Sequence, residues 1–272
     1  MTAVKSILGV LLVCLLTFQQ ADAANKDEQI NSILEQTGFD KLLQFIPNFA
    51  QAKLKQSSGA LEPEVNSALS AAFSQAFATA TIQRDVIDII NTHYDEARAT
   101  LYLRQLNMPI AKKMEELVRD TNNPSNREDM MAFATALQNK PASDSRTALI
   151  ERLDKANRMS DFKIDIETAF FKAIFVAVDP VMEADMRLGE GELDRMVNEV
   201  RTSIEDAVRS ETRLSYLYAF RNISDDELTQ YIELCESEEY RWAIQLLGNA
   251  MISALNQAAD RAATAMAIAS SH

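Results

Sequence analysis

Few side chains in this sequence belong to the types that perform chemistry, so their spacing decides what each can do. Two histidines occur, His93 and the terminal His272. Zinc is usually held by several His or Cys ligands, and His93 stands among Ile89, Ile90 and Tyr94, so no metal ligand set is expected. A Ser-His-Asp or Cys-His unit would have to use His93, yet no Gly-x-Ser-x-Gly elbow precedes any serine. A di-metal carboxylate bundle needs paired Glu-x-x-His motifs, and Ile90 occupies the required Glu position. His93 therefore reads as a half-buried helix residue. Gly189-Glu190-Gly191 lacks the third glycine and the preceding strand of a dinucleotide loop and reads as a connection between helices. Two carboxylates at a suitable separation suffice for glycoside hydrolysis. The abundant acids Asp225, Asp226, Glu227, Glu233, Glu236, Glu238 and Glu239, however, fall where a helix cap and solvated helix faces account for them. No catalytic residue, cofactor or metal is assigned, and the chain is expected not to be an enzyme.

What stands out instead is aromatic. Tyr216, Tyr218, Phe220, Tyr231, Tyr240 and Trp242 crowd into one stretch of a chain that is 7% aromatic. Side chains of this size close helical interfaces, and they can also line a groove for a partner helix or an acyl-like ligand. These six residues are the candidate interaction or ligand surface. A void bordered by Phe170, Phe171, Tyr218 and Trp242 would mark the ligand alternative.

The elements that must position these residues are helices. Six glycines and six prolines punctuate 272 residues, and the remainder is dominated by good helix formers without strand-like alternation, which gives an all-α multi-helix bundle. Ile30, Ile33 and Leu34 share one face of a first helix that stops near Gly38. Leu42, Leu43, Phe45, Ile46 and Phe49 mark a second, with a kink or restart expected at Pro47. Pro63 opens a third helix carrying Val65, Leu69, Phe73 and Phe77. A further element starts near Thr81 and continues or restarts through Ala97, Leu101 and Leu106 to a break at Asn107-Met108-Pro109. Residues 121–143 read as a linker with one short helix, Asn126 to Gln138, for which Ser125 and Glu128 have capping-box spacing. Beyond it come Leu149 and Leu153, a long apolar helix from Asp161 to about Val178, and an amphipathic helix through Val197, Ile204 and Val208. The clearest local signal is Ser224-Asp225-Asp226-Glu227, a capping box with an acidic first turn. The last helix begins near Glu238 and fades into an alanine-rich tail.

Composition and address narrow the partners. Lys5, the apolar run Ile7 to Phe18 and Ala21-Asp22-Ala23 read as a signal peptide over residues 1–23, too short in its apolar core for a resting membrane anchor. The mature chain is then periplasmic or extracellular. Cys14 lacks the small preceding residue of a lipidation site. Removal of the leader leaves Cys235 alone, which excludes an internal disulfide and suits a buried thiol. The stretch Ala169 to Val178 is interrupted by Lys172, so no integral span is expected after cleavage. A net charge of −13 repels phosphate backbones and anionic lipid surfaces, so nucleic acid is not an expected partner.

The chain also repeats itself. Placing Tyr102 over Tyr231 aligns Leu103 with Ile232, Leu106 with Cys235, Lys112 with Arg241 and Pro109 with Glu238. That alignment suggests two related helical halves, 24–120 and 144–272. At Ser224-Asp225-Asp226-Glu227-Leu228, Tyr231-Ile232 and Glu236-Ser237-Glu238, and again at Arg98 to Pro109, the sequence resembles a bacterial exported family known as domain of unknown function 2059. Members of that family have a signal peptide followed by helices, one opening on acidic residues and ending in a Ser-Pro-Gly-like turn. This chain carries Glu238 and Tyr240 where the family turn has Pro and Gly. The resemblance implies export and an all-helical fold, and no catalytic residue. The leading expectation is a non-enzymatic interaction or scaffold protein of the cell envelope, presenting an acidic, partly aromatic surface to another envelope protein. The alternative is a binding protein for a small apolar ligand held between helices of the C-terminal half, and a third class is a carboxylate-dependent hydrolase with two acids sharing a cleft.

Overall fold

The computed structural model describes residues 25–57, 62–121, 123–182, 187–189 and 191–269. The expected leader at 1–23, with Cys14, and the terminal His272 lie outside the described residues. Among those described there are twelve α-helices and no strand, the all-α bundle that the composition dictates. In chain order they are α1 over residues 25–36, α2 Phe39–Ser57, α3 Pro63–Ala76, α4 Thr79–Thr92, α5 Glu96–Leu106 and α6 Pro109–Thr121. They continue with α7 Arg127–Asn139, α8 Asp144–Asn157, α9 Met159–Val178, α10 Glu192–Ala219, α11 Asp225–Cys235 and α12 Glu238–Ala269. No helix among the described residues is long and apolar enough to cross a membrane.

The longest helix, α12, is the spine of the bundle and packs on α3, α4, α5 and α9. The expected face at Leu247, Met251, Leu255 and Ala259 is buried together with Ala250, Ala254 and Ala258, and instead of fading beyond it the packing continues through Ala262 and Met266. A stripe of methyl side chains lets neighbouring backbones come close, so here alanine is a packing residue rather than a weak helix end. At the far end Arg261 reaches Asp85 on α4 at 2.7 Å and the Ala76 carbonyl at the end of α3, tying three helices together. Side chains from both halves of the chain belong to one hydrophobic cluster. Phe170 of α9 sits between Phe49 of α2 and Phe77, which caps α3, with ring centroids 5.0 and 5.4 Å away.

Several local expectations are altered by the three-dimensional context. Helix α2 runs through Pro47 without a restart. The lost backbone bond is outweighed by a buried stripe of Leu43, Ile46, Ala50 and Leu54 on either side. Phe45 lies off that stripe, 63% exposed, because two residues on from Leu43 the helix has turned through roughly 200°. Ser125 is not the cap of α7. It lies in a short 3-10 turn, Pro124–Asn126, where its amide and hydroxyl both donate to Asn123 Oδ1, and Asn126 precedes the helix. His93 is the exposed C-cap of α4, its ring Nδ1 3.1 Å from the Ile89 carbonyl, rather than a half-buried residue inside a helix.

The cap at Ser224 is formed as its sequence indicates. Its Oγ accepts from the Glu227 amide at 3.2 Å, a cap worth about 1 kcal/mol. The Glu227 carboxylate faces Ser224 and also holds Lys113 of α6, and these contacts, Lys113 first, keep its carboxyl below the usual range. The same 129-residue offset that carries Tyr102 to Tyr231 carries the Asp95 cap of α5 to the Ser224 cap of α11. Both helices have 11 residues and end in matching C-cap conformations at Asn107 and Glu236. The two helix–turn–helix units clasp each other, α5 lying on α12 and α11 on α6. Arg98 pairs with Glu238 at 2.9 Å, and Lys113 with Glu227 at 2.5 Å.

Candidate functional site

Five of the six aromatics that the sequence marks as a surface belong to the core. Tyr216, Tyr218, Phe220, Tyr231 and Tyr240 are each at most 5% exposed. They present no docking face, because helices α5, α6, α7, α10, α11 and α12 converge on them. Tyr102 meets Tyr240 edge-on at 5.3 Å, Phe133 of α7 meets Tyr218 at 5.5 Å, and Phe220 meets both Tyr216 and Tyr231. Trp242 is half-buried and reaches a surface groove with His93, Ile89 and Leu246, of about 630 Å³. No void opens at Phe170, Phe171, Tyr218 and Trp242, so the ligand alternative gains nothing at that place. Phe170 is fully enclosed, and Phe171 meets Phe175 of its own helix at a tilt, 4.8 Å away.

The buried aromatic cluster carries unusual electrostatics. Cys235 is buried among Tyr231 and Tyr240, and desolvation pushes its thiol up to about 12, although hydrogen bonds to both tyrosines act the other way. A thiol so placed is an inert apolar group rather than a redox handle. Burial likewise raises the hydroxyls of Tyr102, Tyr231 and Tyr240 well above their ordinary value. Glu115 of α6 borders this cluster, and desolvation lifts its carboxyl to about 7, with Arg119 opposing. No set of three or more His, Cys, Asp or Glu able to hold a metal ion occurs among the described residues.

The site with room for a ligand lies elsewhere, along α9. A cleft of about 730 Å³ uses α9 as its floor, with α10 and α12 as walls and the α1–α2 turn at Thr37 and Gly38 closing one end. Gly38 has a φ of 70°, a left-handed conformation that only glycine adopts without strain and that lets the chain turn sharply here. The lining is chiefly carbon, from Phe39 and Leu42 of α2, Phe162 and Ile166 of α9, and Leu247 and Ile252 of α12. Gly248 keeps the α12 wall open. A Cβ at that position would first meet Phe162, 3.8 Å away, and any longer side chain would project into the space.

Charged residues gather on the α9–α10 side of this cleft. Helix α10 runs antiparallel to α9 with a ladder of ion pairs across the seam: Asp165–Arg201 at 2.5 Å and Asp161–Arg209 at 2.9 Å are close, while Lys163–Glu211 at 3.4 Å and Lys172–Asp194 at 3.6 Å are loose and exposed. Fully buried residues of α10 begin only at Thr212, so its first five turns rest on α9 through half-buried side chains such as Val197 and Val200 and the two close ion pairs. At the α8–α9 junction Arg158 has a φ of 53°, the one left-handed non-glycine among the described residues, and it lines the cleft. Sequence reasoning missed this site because it is assembled from five separated segments. The local signals were Gly248, Asn249 and Asn256 interrupting the apolar pattern of the last helix. Compared with known proteins, the chain matches no family model, no curated protein and no solved structure.

Proposed function

We propose that this protein is a non-enzymatic binder of a small apolar ligand, exported by its leader to the periplasm or cell exterior, with the α9–α10–α12 cleft as its binding site. One observation carries the reading: a preformed cleft of about 730 Å³, lined mainly by carbon, beside a single hydrophobic core. Ligand sites of small molecules have typical volumes of roughly 300–1,000 Å³ with a few polar groups at fixed positions. The aromatic core, with its inert thiol and hydrogen-bonded tyrosines, supports the walls and takes no part in binding. The helix–turn–helix units at the 129-residue offset fit an internal duplication, and the resemblance of both to an exported helical family supports the same envelope setting.

Titration of the purified protein with the neutral fluorophore N-phenyl-1-naphthylamine tests this reading. The wild type is expected to bind the dye at about one equivalent with enhanced, blue-shifted emission. Gly248→Trp should abolish that signal while keeping the fold, because the indole fills the cleft and the substitution removes a helix-interior glycine, itself a gain of about 0.5–1 kcal/mol. Unchanged dye binding by Gly248→Trp, or none by the wild type, would refute the assignment. The interaction reading draws on one feature, the Trp242 groove between α4 and α12, and predicts that Trp242→Ala removes association with an envelope partner while leaving dye binding intact.

A further inference from the structure

The geometry points to a single-chain amphiphile with one anionic head, of the fatty-acid class, as the occupant of the α9–α10–α12 cleft. This rests on the ligand-binding reading above and adds the charge and shape of the ligand. The formally charged residues lining the cleft are Arg158, Lys163, Lys172, Arg201 and Asp165, four cations against one carboxylate, in a chain whose net charge is −13. Arg201 and Asp165 neutralise each other at 2.5 Å. That leaves Arg158, Lys163 and Lys172, whose protein partners are weak. Glu211 and Asp194 stand 3.4 and 3.6 Å from the two lysines and are 70% and 74% exposed, while Asp161 is 3.9 Å from Arg158. Exposed pairs at such distances contribute little. A ligand carboxylate at the cleft wall can replace either lysine's partner at small cost and gain a less hydrated contact.

The backbone supports the same conclusion. A left-handed non-glycine residue costs roughly 1–2 kcal/mol where glycine would be relaxed, and Arg158 keeps its cation at the cleft in that conformation. The shape of the opposite wall favours a chain. Ile244, Leu247 and Ile252 flank the open position at Gly248, and the α9 floor from Met159 to Lys172 runs for about 20 Å. A monoanion fits better than a phosphate dianion. Lys163 and Lys172 are roughly 13 Å apart along α9 and do not converge on one group, and the Arg201 fork that would grip a phosphate in bidentate fashion is engaged by Asp165.

Displacement of N-phenyl-1-naphthylamine from the full chain by dodecanoate, dodecan-1-ol and dodecyltrimethylammonium tests the inference. Dodecanoate is expected to displace the dye roughly five- to tenfold more effectively than the alcohol, and the cationic amphiphile less effectively than either. Lengthening the acid should tighten binding roughly fourfold per methylene until the cleft is full. The double variant Lys163→Gln/Lys172→Gln should keep dye and alcohol binding but lose the preference for the acid, and 1 M salt should compress that preference in the wild type. Dye binding with equal affinity for acid and alcohol, a cationic preference, or a full acid preference surviving in the double variant would overturn the inference while sparing the ligand reading. Failure of the wild type to bind the dye would remove both.

Discussion

Phe170→Ala is expected to lower stability by about 3–5 kcal/mol, the range for emptying a fully enclosed aromatic site, and to lower the melting temperature by roughly 10 °C in a chain of this size. The ring is fully buried, edge-on to Phe49 and tilted against Phe77, so its removal opens a cavity shared by α2, α3 and α9. No neighbour can collapse into that space without pulling α9 away from α12, on which it packs extensively. Since residues of both halves form one cluster, loss of ellipticity and exposure of Cys235 to an alkylating reagent should share one midpoint in wild type and variant. Two separated transitions, one for residues up to 120 and one for the remainder, would show that the halves carry independent cores.

The second large effect concerns pH. The Glu115 carboxyl is raised from 4.5 to about 7, chiefly by desolvation, with Arg119 acting in the opposite sense. Around it stand Tyr102, Tyr216, Tyr231, Tyr240 and Cys235, all neutral in this range, and Lys112 and Glu116 at the nearby surface. A folded-state value above the unfolded one means that the unfolded chain releases its proton first. The contribution of Glu115 is therefore fully present below pH 4.5 and is lost as pH rises to 7. The loss is on the order of 2–3 kcal/mol once partial solvent access is allowed for. Urea unfolding at pH 4.5 and pH 8 should show Glu115→Gln gaining that amount over wild type at the higher pH and little at the lower. Glu227 and Glu236, whose carboxyls are held below the usual range by Lys113 and Arg152, act in the opposite direction and at lower pH, so they do not mask the difference. A constant difference between wild type and variant across this range would show that Glu115 is solvated.

What the sequence made legible was local. The cap at Ser224, the stop at Gly38 and the break before Pro109 are written in residues a few positions apart, and the structure places each where its chemistry requires. The alanines of α12 misled because a methyl group looks the same on a frayed end and in a tight helix crossing, and only the neighbouring helices distinguish the two. The tyrosines were ambiguous in another way. Their amphipathic character suits a groove as well as a core, and the convergence of six helices decided for the core. The cleft was illegible because its walls come from α2, α9, α10 and α12, whose relative placement no periodicity encodes. The α9–α10 ladder was hidden for the same reason, each acid and base pairing across an antiparallel crossing rather than at helical spacing.

Methyl-resolved NMR of the isotope-labelled protein titrated with N-phenyl-1-naphthylamine tests most directly whether the cleft along α9 is the ligand site. Shifts are predicted at the methyl groups of Ile166, Val197, Leu247 and Ile252, with Ile82 and Val86 in the α4 core unmoved. Shifts confined to Ile89 and Leu246 beside Trp242, or none at saturating dye, would contradict it.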